Sequence, residues 1–192
     1  MSNNNFICRK CLEKLDAKFI DFKIGAITAT AIYQYDESIR QLIYQFKGCY
    51  DYELKDVFLY RYVHYLRLRY HDYVLIPAPS SEVDDLKRGF NHVVAIYENL
   101  NLPMLSILKK INREKQSDKS HKDRLKVNKN IYANNINQIK DKKVLIVDDI
   151  YTTGSTILRC IELVKKGKPK QIKVLVIAKT IDLDKRKNKN IH

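Results

Sequence analysis

The last part of the chain constrains the fold most, because it has the pattern of a strand, a helix and a second strand in that order. The two strand candidates are nearly continuous apolar runs, "KKVLIV" from Lys142 and "QIKVLVIAKT" from Gln171. Between them, "TILRCIELVKKG" has helical apolar spacing and ends at Gly167. A helix between two strands makes those strands parallel, and continuous apolar runs are typical of strands covered on both faces. We therefore predict an α/β fold with a mostly parallel central sheet flanked by helices.

Upstream patterns predict further strands and helices. "GAITATAIYQYD", residues 25–36, indicates a strand or hairpin arm. A helix should run from an Asp36 N-cap to Gly48, and a second helix should cover residues 51–70. The expected inward residues of the two helices are Ile39, Leu42, Ile43 and Phe46, then Leu54, Val57, Phe58, Tyr62 and Leu66. The remaining predictions are a strand in "DYVLIPAP", a helix in "NHVVAIYENL", a strand in "MLSILKKI" and an exposed mobile loop over residues 112–130.

Composition indicates a globular protein with an anionic partner. The 192 residues carry 36 Lys+Arg against 22 Asp+Glu, a net charge of +14. Nucleic acid, a phosphorylated metabolite or an acidic membrane surface would suit that charge, although abundant Lys, Asn, Ile and Tyr also fit a nucleotide bias in the source genome. No apolar run approaches the roughly 20 residues of a membrane span, and "MSNNNFICRK" lacks a signal core. We expect a cytoplasmic protein without membrane insertion.

The four cysteines give a weak metal signal. Cys8 and Cys11 form one C-x-x-C, while Cys49 and Cys160 stand alone. A structural zinc site usually needs four ligands, commonly from two such pairs. Cys8 and Cys11 are therefore either a partial zinc site or reduced thiols of minor structural importance.

The stretch "VLIVDDIYTTGST", Val144 to Thr156, carries the strongest chemical signal. Ligands of open α/β sheets bind beyond the carboxyl ends of the strands, where Asp148 and Asp149 fall. Thr152, Thr153, Gly154, Ser155 and Thr156 form the turn into a helix, whose free amides and hydroxyls can hold a phosphate. Two acids beside a phosphate cradle suit a ribose 5-phosphate, whose hydroxyls bind the acids. A plain helix N-cap at Asp149 or Thr152 explains only part of the pattern.

This stretch resembles the 5-phosphoribosyl-1-pyrophosphate (PRPP) motif of type I phosphoribosyltransferases. A wider resemblance to ComF-type competence proteins runs through "CRKC", "IYQFKG", "IPAPSS", "KRGFN" and "REKQS…DR…N…Y", the last containing Arg113, Gln116, Arg124 and Asn128. It implies the type I phosphoribosyltransferase fold with a small N-terminal hood, Mg²⁺ bound with PRPP, and a role in DNA uptake during natural transformation. It also implies a four-cysteine zinc element, of which only Cys8 and Cys11 are present, two ligands short of the usual zinc site.

The resemblance also assigns roles to residues outside the motif. It makes "IPAPSS" the pyrophosphate loop, with donors from Ala78, Ser80 and Ser81, because proline cannot donate. Lys47 and Arg88 become diphosphate contacts. Residues 113–130 become a catalytic lid, in which Arg113, Gln116 and Arg124 are the candidates; Asp148 and Asp149 complete the catalytic set.

A nucleic-acid contact is a separate hypothesis. In "YRYVHYLRLRY", Arg61, Tyr65 and Arg69 recur every four residues along one stripe of a helix. Such a stripe can contact phosphates and stack unpaired bases of single-stranded DNA. In the alternative interpretation, the tyrosines line the core and the arginines snorkel.

The sequence leaves three functional hypotheses open within one predicted architecture. The segments are a cysteine-containing N-terminal segment (1–24), the phosphoribosyltransferase-like domain with its hood (25–182) and a basic tail (183–192). The protein could transfer phosphoribose to an unidentified acceptor, act without turnover as a PRPP sensor or single-stranded DNA-binding accessory of the uptake machinery, or salvage nucleobases. The acceptor and the oligomeric state cannot be read from the sequence.

Overall fold

A computed structural model describes residue 12 and residues 15–111 and 130–180, and its centre is a five-stranded sheet. The strands are β1 (Ile20–Ile24), β2 (Ile27–Gln34), β3 (Tyr73–Pro77), β4 (Leu108–Lys110), β5 (Ile131–Ala133), β6 (Lys143–Tyr151) and β7 (Gln171–Lys179). The α-helices are α1 (Glu37–Gly48), α2 (Val63–Arg69), α3 (Glu82–Arg88), α4 (His92–Tyr97) and α5 (Ser155–Lys166), and 3₁₀ turns occupy Tyr52–Asp56, Glu98–Leu100 and Ile136–Ile139. The sheet has the order β1-β2-β7-β6-β3, and β4 pairs only with β5.

The predicted strand–helix–strand unit is confirmed as β6, α5 and β7. The two strands pair in parallel, with Val144 opposite Ile172 and Val147 opposite Leu175. β2 and β3 extend the parallel part on either side, and only β1 is antiparallel. The α/β fold with a mostly parallel sheet is therefore as predicted.

Both faces of the sheet are buried, which explains the continuous apolar runs. Val144 and Ile146 of β6 pack with Ile157 of α5 on one face. Leu145 and Val147 face the opposite way, into a cluster that includes Phe46 of α1. Successive strand residues thus reach two different cores, so neither set can be polar.

The helix after β2 has the predicted ends. The Asp36 carboxylate accepts a hydrogen bond from the Ile39 amide over 3.0 Å, and α1 extends to Gly48. The four residues expected to face inward are buried: Ile39, Leu42, Ile43 and Phe46. Lys47 lies in the last turn of α1, and its side chain reaches Asp149 of β6.

The single helix predicted over residues 51–70 is wrong. A 3₁₀ turn and further turns occupy residues 52–62, and only Val63–Arg69 is α-helical. Val57, Phe58 and Leu59 are all buried, and three consecutive buried side chains cannot lie on one face of a helix. The helix therefore gives way to turns that bury all three.

Other predictions are confirmed in part or lie outside the described residues. β3 ends at Pro77 as predicted, α4 lies within "NHVVAIYENL", and "MLSILKKI" contains only the short strand β4. β1 pairs with β2 and lies within the predicted N-terminal segment 1–24. The predicted hood belongs to segment 25–182 and stays a prediction, whereas most of the predicted loop 112–130 and the tail 183–192 lie outside the described residues. No helix among the described residues is long and apolar enough to cross a membrane.

Candidate functional site

The candidate site lies where β6 ends, at a cavity of about 210 Å³. Asp148 pairs with Val176 of β7, and Asp149 follows it within β6. Both side chains are almost fully buried. The cavity is lined by Lys47, Ala78, Pro79, Ser80, Ser81, Asp84, Arg88, His92, Val93, Lys110, Asp148, Asp149, Ile150 and Thr156. The structure therefore brings together residues from four separate sequence motifs: "IYQFKG", "IPAPSS", "KRGFN" and "VLIVDDIYTTGST".

Asp149 is held by two cationic or hydrogen-bonding partners. Lys47 Nζ lies 2.9 Å from Asp149 Oδ2, and His92 Nε2 lies 3.2 Å from the same oxygen. Burial alone would raise the pKa of Asp149, but the hydrogen bond from His92 and the charge of Lys47 hold it below its usual range. Asp149 is thus a carboxylate at neutral pH.

The contacts of His92 define which ring nitrogen carries the proton. Arg88 Nη1 lies 3.3 Å from His92 Nδ1, and a guanidinium can only donate. His92 Nδ1 therefore accepts, and the proton on Nε2 is donated to Asp149. Arg88 in turn forms an ion pair with Asp85 over 2.9 Å and donates from Nε to the Lys47 carbonyl over 3.1 Å. A continuous polar network thus connects α3, α4 and α1 to the end of β6.

Asp148 has a different environment from its neighbour. Its Oδ1 accepts a hydrogen bond from the Asp149 amide over 2.9 Å, and its carbonyl accepts one from the Tyr97 hydroxyl over 2.9 Å. Burial and the adjacent negative charge of Asp149 raise the pKa of Asp148 well above its usual range. Asp148 therefore retains its proton more readily, whereas Asp149 is readily ionised. Together the two acids can both donate hydrogen bonds to ligand hydroxyls and accept hydrogen bonds from them.

The turn after β6 leaves the start of α5 open. Gly154 has a φ of 73°, which favours glycine, and a Cβ at this position would lie 2.3 Å from the Tyr151 hydroxyl oxygen, so a larger residue would be strained and would have to displace the Tyr151 ring. No side-chain cap within the described chain bonds the first amides of α5, and its first turn contains no acid. A 12-residue helix with uncapped amides attracts an anion. Of the predicted cradle residues, Thr156 lines the cavity, Ser155 begins α5, and Thr152, Thr153 and Gly154 lie in the turn before the helix.

The predicted pyrophosphate loop lies on the other side of the cavity, but its donors differ from the prediction. The Ala78 amide donates to the Val147 carbonyl over 2.8 Å, so it is not available to a ligand in this arrangement. The amides of Ser80 and Ser81 have no hydrogen-bond partner within the described part of the chain. Ser81 Oγ caps α3 by accepting from the Asp84 amide over 3.4 Å, and the Ser80 hydroxyl donates to Asp85.

Asn91, which belongs to "KRGFN" but had no predicted role, organises this loop. Its Nδ2 donates to Ser80 Oγ and to Asp85 Oδ2, each over 2.8 Å. Its Oδ1 accepts from the Val94 amide over 2.9 Å and so caps α4. Asn91 and His92 were missed as site residues, and the available signal was an N-cap residue followed by a histidine directly after "RGF".

The two predicted diphosphate cations are near the cavity but already bound to protein groups. Lys47 contacts Asp149, and the Arg88 side chain is only 6% exposed and surrounded by Asp85, the Lys47 carbonyl and His92. Arg88 as placed holds neighbouring groups in position. Direct contact of either cation with a diphosphate stays a prediction.

The remaining predicted residues lie outside the cavity or outside the described chain. Arg113, Gln116, Arg124 and Asn128 and the thiols of Cys8 and Cys11 are not among the described residues. Arg61 and Tyr65 are exposed on another surface, where Arg69 donates to the Tyr65 hydroxyl over 2.9 Å and lies 3.7 Å from Asp21. Tyr65 is 48% exposed, so the alternative interpretation, in which it lines the core, is wrong for this residue.

The described residues suit a metal that arrives with a ligand. They contain no group of three or more His, Cys, Asp or Glu side chains that could hold a metal ion alone. Mg²⁺ is commonly bound by one or two carboxylates together with substrate phosphates, and Asp148 and Asp149 meet that requirement. When bound with a diphosphate, Mg²⁺ would neutralise its charge.

The fold and the site together define an α/β protein of the phosphoribosyltransferase type. The chain belongs to the phosphoribosyl transferase domain family, whose model matches residues 86–191. It is a ComF-type protein with such a domain, as its sequence predicted: two curated relatives are both named competence protein ComFC.

The relatives cover different shares of the chain. The protein from Bacillus subtilis (strain 168) is 32% identical over 143 residues, which are 72% of this chain and 58% of that protein. The chain thus spans less than two thirds of that relative's length. The protein from Streptococcus pneumoniae (strain R6) is 27% identical over 178 residues, which are 90% of this chain and 80% of that protein.

Solved structures with a similar chain fold include two that are named phosphoribosyltransferases. A purine phosphoribosyltransferase from Pyrococcus horikoshii is 23% identical, with a TM-score of 0.40 and coverage of 65% of this chain and 73% of that one. A hypoxanthine phosphoribosyltransferase from Trypanosoma cruzi is 14% identical, with a TM-score of 0.43 and coverage of 68% and 75%.

Proposed function

We propose that this protein binds PRPP with Mg²⁺ at the end of β6 and acts in the cytoplasm in DNA uptake during natural transformation. The main support for PRPP as the ligand is the cavity itself, which brings together two buried acids, an uncapped helix start and the free serine amides. The name of the ComFC relatives supports the biological role.

The ligand would be bound by three groups of protein atoms. Asp148 and Asp149 would bind the ribose hydroxyls, and the turn from Thr152 to Thr156 would hold the 5-phosphate on the amides that begin α5. The Ser80 and Ser81 amides would face the diphosphate, with Lys47 supplying positive charge once it exchanges Asp149 for the ligand. Each part of PRPP thus meets a group of complementary chemistry.

If turnover occurs, the protein needs no covalent nucleophile. Breaking the bond from ribose C1 to diphosphate leaves a positive ribosyl centre and a highly charged leaving group. The chain would contribute by positioning the ligand, stabilising the charges and excluding water. In the resemblance, Arg113 and Arg124 would complete the catalytic set with Asp148 and Asp149.

Two other functions use the same cavity. A protein that senses PRPP without turnover needs the ligand site and no acceptor site, whereas nucleobase salvage needs a defined base pocket. The acceptor therefore separates the hypotheses, and an assay of pyrophosphate release across purines, pyrimidines and DNA distinguishes them.

Calorimetric titration with PRPP at millimolar Mg²⁺ tests the ligand. The intact protein should bind, and Asp148→Asn/Asp149→Asn should weaken binding by about tenfold or more, because each lost charged hydrogen bond is worth about 1.5–3 kcal/mol. Asp51→Asn/Glu53→Gln removes the same charge from exposed residues outside the cavity and should bind like the intact protein.

Absence of PRPP binding by the intact protein would exclude both the enzyme and the sensor. Binding without pyrophosphate release for any acceptor would exclude the transferase and support the sensor. Release with a free nucleobase alone would support salvage.

A further inference from the structure

The edge of the sheet opposite the candidate site carries a group of lysines, which we call the lysine edge. Its members come from the loop before β6 and from the end of α5 and the loop that follows: Lys140, Lys142, Lys165, Lys166, Lys168 and Lys170. All six residues are exposed. Because β6 and β7 are parallel, their amino ends lie together at this edge, while Asp148 and Asp149 lie at the other.

Backbone hydrogen bonds hold the two loops side by side. The Asp141 amide donates to the Lys168 carbonyl over 3.1 Å, and the Lys170 amide donates to the Lys142 carbonyl over 2.9 Å. Neighbouring strands are about 4.8 Å apart, so lysines on these two loops are close neighbours. The fold therefore brings the charges together from two separate parts of the sequence.

The positive charge of this edge is only weakly compensated within the described part of the chain. None of the six ammonium groups forms a salt bridge there, and Asp141 is the one acid in residues 140–142 and 165–170. Nearby acids form their salt bridges with other cations: Asp72 lies 2.5 Å from Lys143, and Glu162 lies 2.7 Å from Arg159. Glu162 interacts with Lys166 only through the weaker long-range attraction of their charges. The lysine edge is thus a surface of nearly one sign of charge.

Favourable local interactions within the fold explain only some of the lysines of this edge. Lys165 and Lys166 are in the last turn of α5, where cations favourably meet the helix dipole. Lys168 has a φ of 51°, a conformation that glycine adopts more readily than lysine. The local backbone conformation therefore does not account for a lysine at that position.

We propose that the lysine edge binds the phosphodiester backbone of a nucleic acid, independently of base sequence. Several cations on one rigid surface match the repeated charges of such a backbone. No large exposed apolar or aromatic side chain lies in residues 140–142 or 165–170, so the surface has neither an anchor for insertion into a membrane nor a ring for base stacking.

This surface is distinct from the predicted stripe of Arg61, Tyr65 and Arg69. In that stripe, Arg69 already contacts Tyr65 and Asp21. The lysine edge is also remote from the cavity, so nucleic acid and the cavity ligand can be bound at the same time. The inference goes beyond the proposed function, and it does not require the cavity to bind PRPP.

Fluorescence anisotropy with labelled oligonucleotides tests the proposal. Single-stranded and double-stranded DNA of equal length and several sequences are titrated at a series of salt concentrations. Lys142→Gln/Lys168→Gln/Lys170→Gln should lower affinity by about ten- to a hundredfold at roughly 0.1 M salt, and it should reduce the log–log salt slope by about 2 for single strands. The matched control, Lys18→Gln/Lys23→Gln/Lys87→Gln, removes the same charge from exposed lysines elsewhere and should bind like the intact protein.

Further measurements separate this proposal from its alternatives. The variant of the lysine edge should retain the affinity of the intact protein for PRPP, and saturating PRPP should leave DNA affinity unchanged. Equal loss in both triple variants would overturn the proposal in favour of net charge alone. It would also be overturned if only Arg61→Gln/Arg69→Gln lowers DNA affinity, if the intact protein binds no DNA at low salt, or if it binds vesicles of anionic lipid but not DNA.

Discussion

At the scale of single residues, Asp148 and Asp149 are chain neighbours with opposite electrostatic surroundings. Asp149 has Lys47 and His92 within 3.2 Å, whereas the carboxylate of Asp148 accepts a backbone amide and lies beside a negative charge. The pKa of Asp149 is accordingly lowered, and that of Asp148 is raised by burial and by Asp149. The two acids should therefore have opposite effects on stability.

Asp148→Asn should raise the free energy of unfolding near neutral pH. Because the folded-state pKa of Asp148 is raised, ionising it in the folded state reduces stability, and this loss grows as pH rises from about 4 through the folded pKa. Asparagine removes the charge and can still accept from the Asp149 amide. Denaturant titrations across pH should show a gain that shrinks as pH falls and vanishes below about pH 4, where Asp148 becomes protonated in both the folded and the unfolded state.

Asp149→Asn is the matched comparison, and its effect should have the opposite sign. The lowered pKa of Asp149 contributes stability above about pH 4, and this contribution is lost only as pH falls through the folded pKa. The asparagine variant should therefore be less stable than the intact protein at neutral pH. Equal stability changes in the two variants would contradict the assigned environments.

The acids could be recognised from the sequence, but their surroundings could not. A strand ending in two acids before a Thr/Gly/Ser turn is a local pattern, and the carboxyl end of a parallel strand is where ligands bind. His92 contacts Asp149 across 57 positions of sequence, and Lys47 reaches it across 102. Which distant residues meet depends on the order of the strands, and no local pattern contains that order.

At the scale of elements, the Asn91 side chain connects both short helices, α3 and α4, to the pyrophosphate loop. Asn91 caps α4 with its oxygen and connects Ser80 to Asp85 with its nitrogen. Neither helix has more than 7 residues, so neither would be stable without such contacts. Asn91 should therefore affect both stability and ligand binding.

Asn91→Ala should lower the free energy of unfolding by about 2–3 kcal/mol, since it removes one helix cap and two hydrogen bonds. Asn91→Ser retains a capping oxygen and loses only the two amide donors, so it should be the more stable of the two. Both variants should bind PRPP more weakly, because Ser80 Oγ loses the hydrogen bond from Asn91 and keeps only its bond to Asp85. Denaturant unfolding and calorimetry measure the two effects, and a serine variant with intact affinity would show that the Asn91 bond does not position the loop.

Helices and strands could be predicted from the sequence where a single helix face or a single strand packs against the core. α1 has its predicted cap and inward residues because its apolar spacing matches a single buried face. The prediction of one helix over residues 51–70 was wrong because Val57, Phe58 and Leu59 are all buried, although they are consecutive. The Tyr33 hydroxyl also donates a hydrogen bond to the Phe58 carbonyl over 3.0 Å. That contact comes from another part of the chain, and it overrides helical propensity.

At the scale of the whole molecule, the sheet separates two kinds of charge. Its carboxyl edge holds buried acids beside a small cavity, and its amino edge holds exposed lysines without partners among the described residues. The parallel arrangement was predictable from the strand–helix–strand pattern, and it places the two groups at opposite ends. A function that uses a phosphorylated ligand and a nucleic acid can thus keep the two binding events apart.

Clustered like charges that serve binding should reduce stability, because the lysines repel one another when no anion is bound. We therefore expect Lys142→Gln/Lys168→Gln/Lys170→Gln to raise the free energy of unfolding by about 0.5 kcal/mol at low salt. The gain should shrink at about 1 M salt, where the screening length falls to about 3 Å. Lys18 pairs with Asp16 and Lys23 donates to Thr28 over 2.8 Å, so Lys18→Gln/Lys23→Gln/Lys87→Gln should show no such gain. Denaturant titrations at two salt concentrations measure the difference, and a loss of stability at both would mean that the lysines of this edge hold the fold together instead of repelling one another.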